Sequence, residues 1–201
     1  MRSLLLILLA GMLCGCSSGP AWKRRVFAFS LPAGPEITNA QTNVVALNRV
    51  SISPLFQNRS FTYRTAENTY AQDPYAAFLV PPERALAGAI RAGIRGSGLF
   101  GRVLEPGSGL TPTLVAEVSV NELYGDFRKP AHPVGKMEIH FIFYALKNDA
   151  PGPIVLDKIC AHETPLTRKT PDALMAAWDE DLREIMKEIN SEYAKANAND
   201  R

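Results

Sequence analysis

Polar and apolar residues alternate over three consecutive stretches of the chain. Leu114, Ala116, Val118 and Val120 interleave with Glu117, Ser119 and Asn121. Met137, Ile139, Phe141 and Phe143 interleave with Lys136, Glu138 and His140, and Ile154 to Cys160 follows a polar turn at 148–153. Successive side chains on a strand point to opposite faces, so this spacing predicts strands with one buried and one polar face. The connections are short, the first across the glycine-bounded segment 125–135, which predicts antiparallel neighbours in a three-strand meander. Cys160 shares its phase with Ile154 and Leu156 and is expected to be buried.

Upstream, Val26-Phe27-Ala28-Phe29-Ser30 reads as a short strand, closed by Leu31-Pro32-Ala33-Gly34-Pro35 because proline cannot feed a ladder. The segment up to Asn43 is polar and loop-like. Val44 to Ile52 is β-rich and stops before Pro54. Asn58-Arg59 marks a turn, Phe61-Thr62-Tyr63-Arg64-Thr65 alternates as a strand, and Tyr70 to Val80 reads as a further short one. Helical spacing occurs twice. Pro81-Pro82-Glu83 opens a helix whose stripe is Leu86, Ala89, Ile90, Gly93 and Ile94, with Arg84, Arg91 and Arg95 on another face, and Gly96-Ser97-Gly98 ends it. Thr170 is the expected cap of a second helix, with Pro171 and Asp172 in its first turn. Its stripe of Leu174, Trp178, Leu182, Ile185, Ile189 and Tyr193 spans some twenty residues. The predicted class is α+β: a largely antiparallel sheet including the meander, with two amphipathic helices packed on one face.

The N-terminus follows a different logic. Arg2 precedes the apolar run Leu4-Leu5-Leu6-Ile7-Leu8-Leu9-Ala10, and small residues follow, which is the layout of an export signal. The run is about half the ~20 residues needed to span a bilayer. Leu13-Cys14-Gly15-Cys16 then looks like a bacterial lipobox, implying cleavage after Gly15 and acylation of Cys16; the alternative is a plain secreted protein cut at or near Gly15. Ser17 and Ser18, with no Asp, resemble sorting signals for the outer membrane rather than the inner. The expected organisation is a signal peptide at 1–15, a lipidated tether at 16–25, one domain at 26–195 and a frayed tail at 196–201. Ten tether residues reach at most ~35 Å, so the domain stays near its own membrane. Lys23-Arg24-Arg25 either draw the tether to anionic head groups or form a solvated lead-in to the first strand.

Composition narrows the function classes. Arg2 leaves with the signal, taking Lys+Arg from 22 to 21 against 20 Asp+Glu, so no basic excess exists to hold nucleic acid. Of 3 cysteines, Cys14 is removed, Cys16 is acylated and Cys160 is left without a disulfide partner in the mature chain. Gly96-Ser97-Gly98-Leu99-Phe100-Gly101 matches G-x-G-x-x-G in letters, but it ends a helix where a dinucleotide site must open one. His132, His140 and His162 show no zinc-ligand spacing. His140 with His162 and Glu163 would form an acid–base or metal site only if the second and third meander strands bring them together. No nucleophile elbow is present. No catalytic, cofactor or metal residue is therefore expected. The arginine stripe Arg84, Arg91 and Arg95 is either a partner-facing surface or a solvated helix face.

The mature chain resembles the ABC-type transport auxiliary lipoproteins, the PqiC-like family. The resemblance is carried by Cys16, by the aromatic strand at 26–31 with its prolines, by Leu47-Asn48-Arg49-Val50-Ser51-Ile52-Ser53-Pro54, and by Leu55-Phe56-Gln57-Asn58-Arg59-Ser60-Phe61-Thr62-Tyr63-Arg64. The helix after Pro82, the strand ending Val118-Ser119-Val120-Asn121-Glu122-Leu123 and the closing helix follow in the family's order. Phe78 stands where members often carry Trp. The resemblance implies a non-enzymatic lipoprotein on the periplasmic face of the outer membrane, working with an MCE-domain protein and ABC transporter subunits in intermembrane lipid transport, with no cofactor. A homo-oligomer is open. The competing readings are a lipid carrier or assembly factor for an outer-membrane component, and an enzyme built on His140, His162 and Glu163.

Overall fold

The computed structural model describes residues 23–30 and 43–199. The expected signal peptide, Cys16 and the tether to residue 22, the loop at 31–42 and the last two residues lie outside them. In chain order the elements are β1 (Arg25–Phe27), β2 (Val44–Ile52), β3 (Ser60–Ala66), β4 (Thr69–Phe78), α1 (Pro82–Gly96), β5 (Arg102–Leu104), β6 (Leu114–Asp126), β7 (Val134–Lys147), β8 (Ala150–Pro165) and α2 (Pro171–Asn199).

The α+β class and the meander are as the alternation predicts. β6, β7 and β8 pair antiparallel along nearly their whole length, from Leu114↔Ala145 to Asp126↔Val134 and from Val134↔Pro165 to Lys147↔Ala150. The strands outrun their apolar alternation at both ends, so the segment expected as a turn at 125–135 shrinks to 127–133. The other hairpin closes on Asn148 and Asp149 with φ of 51° and 61°. Both lie in the left-handed region, which Asn and Asp tolerate and which a two-residue hairpin turn demands.

The sheet as a whole is mixed. The second edge of β6 is shared by two strands. β2 runs parallel to it from Val45↔Leu114 to Ile52↔Val120, and β3 takes over at Tyr63↔Gly125 and Arg64↔Asp126. β4 returns antiparallel on β3, β1 lies parallel to β4, and β5 lies parallel to β2. β8 occupies the far edge.

Both helices cover one face of this sheet and share one core. Leu86, Ile90 and Ile94 of α1 are buried, as are all six predicted stripe residues of α2. Thr170 caps α2, its Oγ1 accepting the Ala173 N–H at 3.3 Å. The helix is 29 residues long, longer than the apolar stripe suggests, and runs through Ala196 to Asn199. Trp178 sits at its packing centre. Its ring meets Phe61 edge-on at 4.9 Å and stacks on Phe78 at 5.5 Å, and its N–H points to the Tyr124 carbonyl at 3.4 Å. Phe78 thus fills the place before α1 as a buried ring.

One departure has a local cause. Cys160 is buried, but Ile154 is 61 % exposed although the two share one phase in the sequence. A register shift between Phe143↔Leu156 and Tyr144↔Ile154 inserts Val155 as an extra residue, and one inserted residue turns every side chain beyond it to the opposite face.

Two glycines let α2 lie close to the sheet. A Cβ at Gly135 would stand 2.9 Å from the Ala177 Cβ, and one at Gly125 3.0 Å from Leu174 Cδ2. Gly135→Ala is therefore expected to cost about 1–3 kcal/mol by overpacking, measured by urea unfolding. Adding Ala177→Gly should recover part of the loss; strictly additive losses would show that this contact is not the cause.

Candidate functional site

The stripe of arginines on α1 borders a groove of about 410 Å³ between α1, β2 and the loop after β5. Its walls include Ala46, Leu47 and Val50 on one side and Arg84, Ala87 and Arg91 on the other, with Leu110 and Pro112 from the loop. β5 pairs Leu104 with Ala46 and so delivers Glu105 to the foot of the helix. Glu105 engages two of the three arginines: Arg95 in a close ion pair, and Arg91 with its Nε 3.9 Å from Oε2. Arg84 is exposed. The stripe is thus divided between an internal clamp on a loop carboxylate and one outward cation. The sequence did not show this, because Glu105 lies in a Pro-Gly-rich loop with no periodicity to place it.

The histidines do not converge. β7 and β8 do pair, but His140 and His162 project from opposite faces. His140 lies on the face away from the helices, 2.6 Å from Asp157. That face carries further polar pairs, Tyr144 with Glu117 at 3.2 Å, Asn121 with Glu138 at 2.9 Å and Ser51 with Ser119 at 3.1 Å. His162, expected just past the strand, lies within β8 and faces α2, its Nδ1 3.1 Å from Asp181. Glu163 points with its neighbour Lys136 to the outer face, in an ion pair of 2.9 Å. His132 sits on the 127–133 turn, where its N–H bonds the Lys129 carbonyl at 2.9 Å. Among the described residues, no group of three or more His, Cys, Asp or Glu is placed to hold a metal ion. The glycine-rich motif ends α1 as its context predicts, with Gly98 at φ 68°.

Asp181 is the chemically distinctive group that sequence reading missed. It is fully buried on α2. Its Oδ1 accepts from Thr164 Oγ1 at 2.6 Å, while the buried Oδ2 has no hydrogen-bond partner among the described residues. The signal was present as an Asp on the apolar side of the stripe, between Trp178 and Leu182, but nothing marked it as buried. Desolvation raises its pKa, and the bonds from Thr164 and His162 offset only part of the rise. Cys160, on the same face of β8, is held by burial and by nearby Glu188 as a neutral thiol with its pKa pushed up to about 12. Neither group has the exposure or polarised neighbours of a nucleophile site.

No protein-family model matches the chain, and no curated protein matches it. Solved structures do. The chain superposes on the crystal structure of a Xanthomonas campestris protein of the family described as DUF330 with a TM-score of 0.72, at 12% identity, covering 88% of this chain and 98% of that one. A second crystal structure, of an uncharacterized protein, matches with a TM-score of 0.65, again at 12% identity, over 85% of this chain and 98% of that one. At such identity the likeness is one of fold. It spans nearly the full length of both neighbours, so the sheet and both helices form one shared architecture.

The buried carboxyl generates a pH signature. A raised folded-state pKa means that Asp181 keeps its proton to higher pH when folded than when unfolded. Its contribution is fully present below the ordinary carboxylate range near 4 and is lost as pH rises through the folded value. Asp181→Asn removes that slope. In urea titrations from pH 4 to pH 7, the variant should gain stability relative to the native protein as pH rises, and a constant difference would contradict the assignment.

Proposed function

We propose that this chain is a non-enzymatic, lipid-anchored envelope protein on the periplasmic face of the outer membrane, serving as the auxiliary component of an ABC-type, MCE-associated intermembrane lipid transport system. The observation that carries the reading is Leu13-Cys14-Gly15-Cys16 after a short apolar run, followed within ten residues by β1 of a single folded domain. The fold supports it. The neighbour with the higher TM-score belongs to DUF330, the family of the PqiC-like pattern that the sequence resembles.

The charged groups suit binding rather than turnover. His140, His162 and Glu163, the residues an enzyme reading would recruit, are each engaged by a different partner and lie on two faces. A domain whose polar side chains are held in local pairs offers fixed surfaces to a partner. Arg84 and the groove beside it are the surface we assign to the MCE or ABC subunit, since apolar walls such as Leu47 and Val50 beside charges of both signs, Arg84 next to Glu83, fit a protein segment that is itself part apolar and part charged.

Crosslinking of the full-length protein in its own cells, followed by mass spectrometry, should recover an MCE-domain or ABC subunit. Arg84→Glu should reduce that recovery without changing the amount of protein in the membrane. Recovery of a barrel protein instead, or of bound lipid without a protein partner, would overturn the adaptor reading in favour of an assembly factor or carrier.

A further inference from the structure

Where the chain enters the described domain, an apolar tip and a set of cations lie side by side. β1 pairs Val26 with Ala77 and Phe27 with Phe78, and the Leu79 N–H continues the ladder to the Phe27 carbonyl at 2.7 Å. Phe27 and Phe78 turn inward to the aromatic core, their rings meeting Phe61 at 5.0 Å and 4.9 Å. Their neighbours turn out: Val26 is 51%, Leu79 54% and Val80 42% exposed. Large apolar side chains exposed singly are ordinary, but these three come from one place, Val26 on β1 and Leu79-Val80 directly after the end of β4 that β1 pairs with.

The cations are tied to the same spot. Arg59 donates from Nε to the Phe78 carbonyl at 3.0 Å and from Nη2 to the Leu79 carbonyl at 2.5 Å. It thereby fixes the backbone that presents Leu79. Arg24 donates to Ser60 Oγ, the next residue along, at 2.9 Å, and Lys23 is exposed one residue further out. Arg25 belongs to a different interaction, since it is neutralised by Asp172 at the start of α2. Glu83, the acid closest along the chain to this tip, sits in the first turn of α1, where the helix dipole offsets its charge.

We propose that Val26, Leu79 and Val80, ringed by Lys23, Arg24 and Arg59, form a seat that rests on the anionic surface of the membrane holding Cys16. The inference rests on the lipid-anchor reading. Lys23 stands seven positions after Cys16, a reach of at most ~25 Å, so the tip is confined to within a tether length of the lipid. Apolar side chains flanked by basic ones match a bilayer interface, where the former enter the head-group boundary and the latter meet anionic lipids. The seat turns a leash into a fixed orientation.

The test uses the full-length lipidated protein in vesicles of mixed zwitterionic lipid and phosphatidylglycerol. Leu79→Cys and, as a control in the loop after β5, Leu110→Cys each carry an environment-sensitive fluorophore. Cys160 is buried and stays unlabelled, and Cys16 is blocked by its acyl chains. Brominated lipid should quench the label at position 79 and leave that at position 110 unaffected. Lys23→Gln should lower the seated-to-free ratio roughly fivefold. Acylation of Cys16 is read by mass spectrometry in the same preparation. With Cys16 acylated, a label at position 79 that is unquenched, quenched no more than position 110, or quenched equally in purely zwitterionic vesicles overturns the seat alone. Cys16 without acyl chains overturns the anchor on which it rests.

Discussion

Trp178 is the contact through which the long helix holds the sheet together. Its ring touches β3 through Phe61 and β4 through Phe78, and its N–H reaches the β6 backbone at Tyr124. β3 and β4 are joined directly as a hairpin, but their join to β6 is short. β3 and β6 share only a two-residue parallel pairing, which by itself is a weak join. A large aromatic ring buried among other rings contributes both area and geometry, and its one polar atom finds a partner. α2 therefore adds, beside direct contacts such as Tyr70 with Tyr124 and Tyr63 with Phe127, a tie that binds the β1–β4–β3 side of the sheet to the meander. At the other end of that helix Tyr193 repeats the device on a smaller scale, packing against Phe100 at 4.6 Å and Phe143 at 5.4 Å.

Because α1 and α2 both lie on one face, the sheet sorts its chemistry by side. Residues facing the helices are apolar except where a short polar chain such as Thr164–Asp181–His162 is folded in. Residues facing away form a lattice of neighbouring polar pairs across β2, β6, β7 and β8. This sorting separates His140 from His162: they belong to adjacent strands but differ in phase, and phase decides which environment a side chain meets. Charged groups at the sheet ends follow the same economy, as where Arg128 makes a forked contact with Asp126 and reaches Glu67 at 2.8 Å.

Much of this was legible in the sequence because it is periodic. Val118 and Phe141 declare a half-buried strand by their neighbours, Leu86 and Ile90 a helix face by their spacing, and Thr170-Pro171-Asp172 a helix start by its chemistry. What could not be read is what depends on partners distant in sequence. Nothing near Arg25 announces that β1 will run parallel to β4, and nothing near Val45 that β2 will lie on β6. The bulge at Val155 is invisible because Ile154, Val155 and Leu156 are all apolar, so nothing in the letters shows which of them is the extra residue. Glu105 was opaque for a further reason: a loop residue acquires its role from the element it is carried to. The arginine stripe was visible as a pattern, but that two of its members were already engaged was not.

The burial of Cys160 has a consequence in time as well as in space. Its thiol is inert because β8 lies beneath α2, and α2 follows β8 in the chain and is made after it. Until that helix docks, the sulfur is a free thiol with an ordinary acidity, open to oxidation or mixed-disulfide formation. A modified sulfur would not fit under the helix. The protection of this thiol is thus a property of the docked helix and not of the strand that carries it.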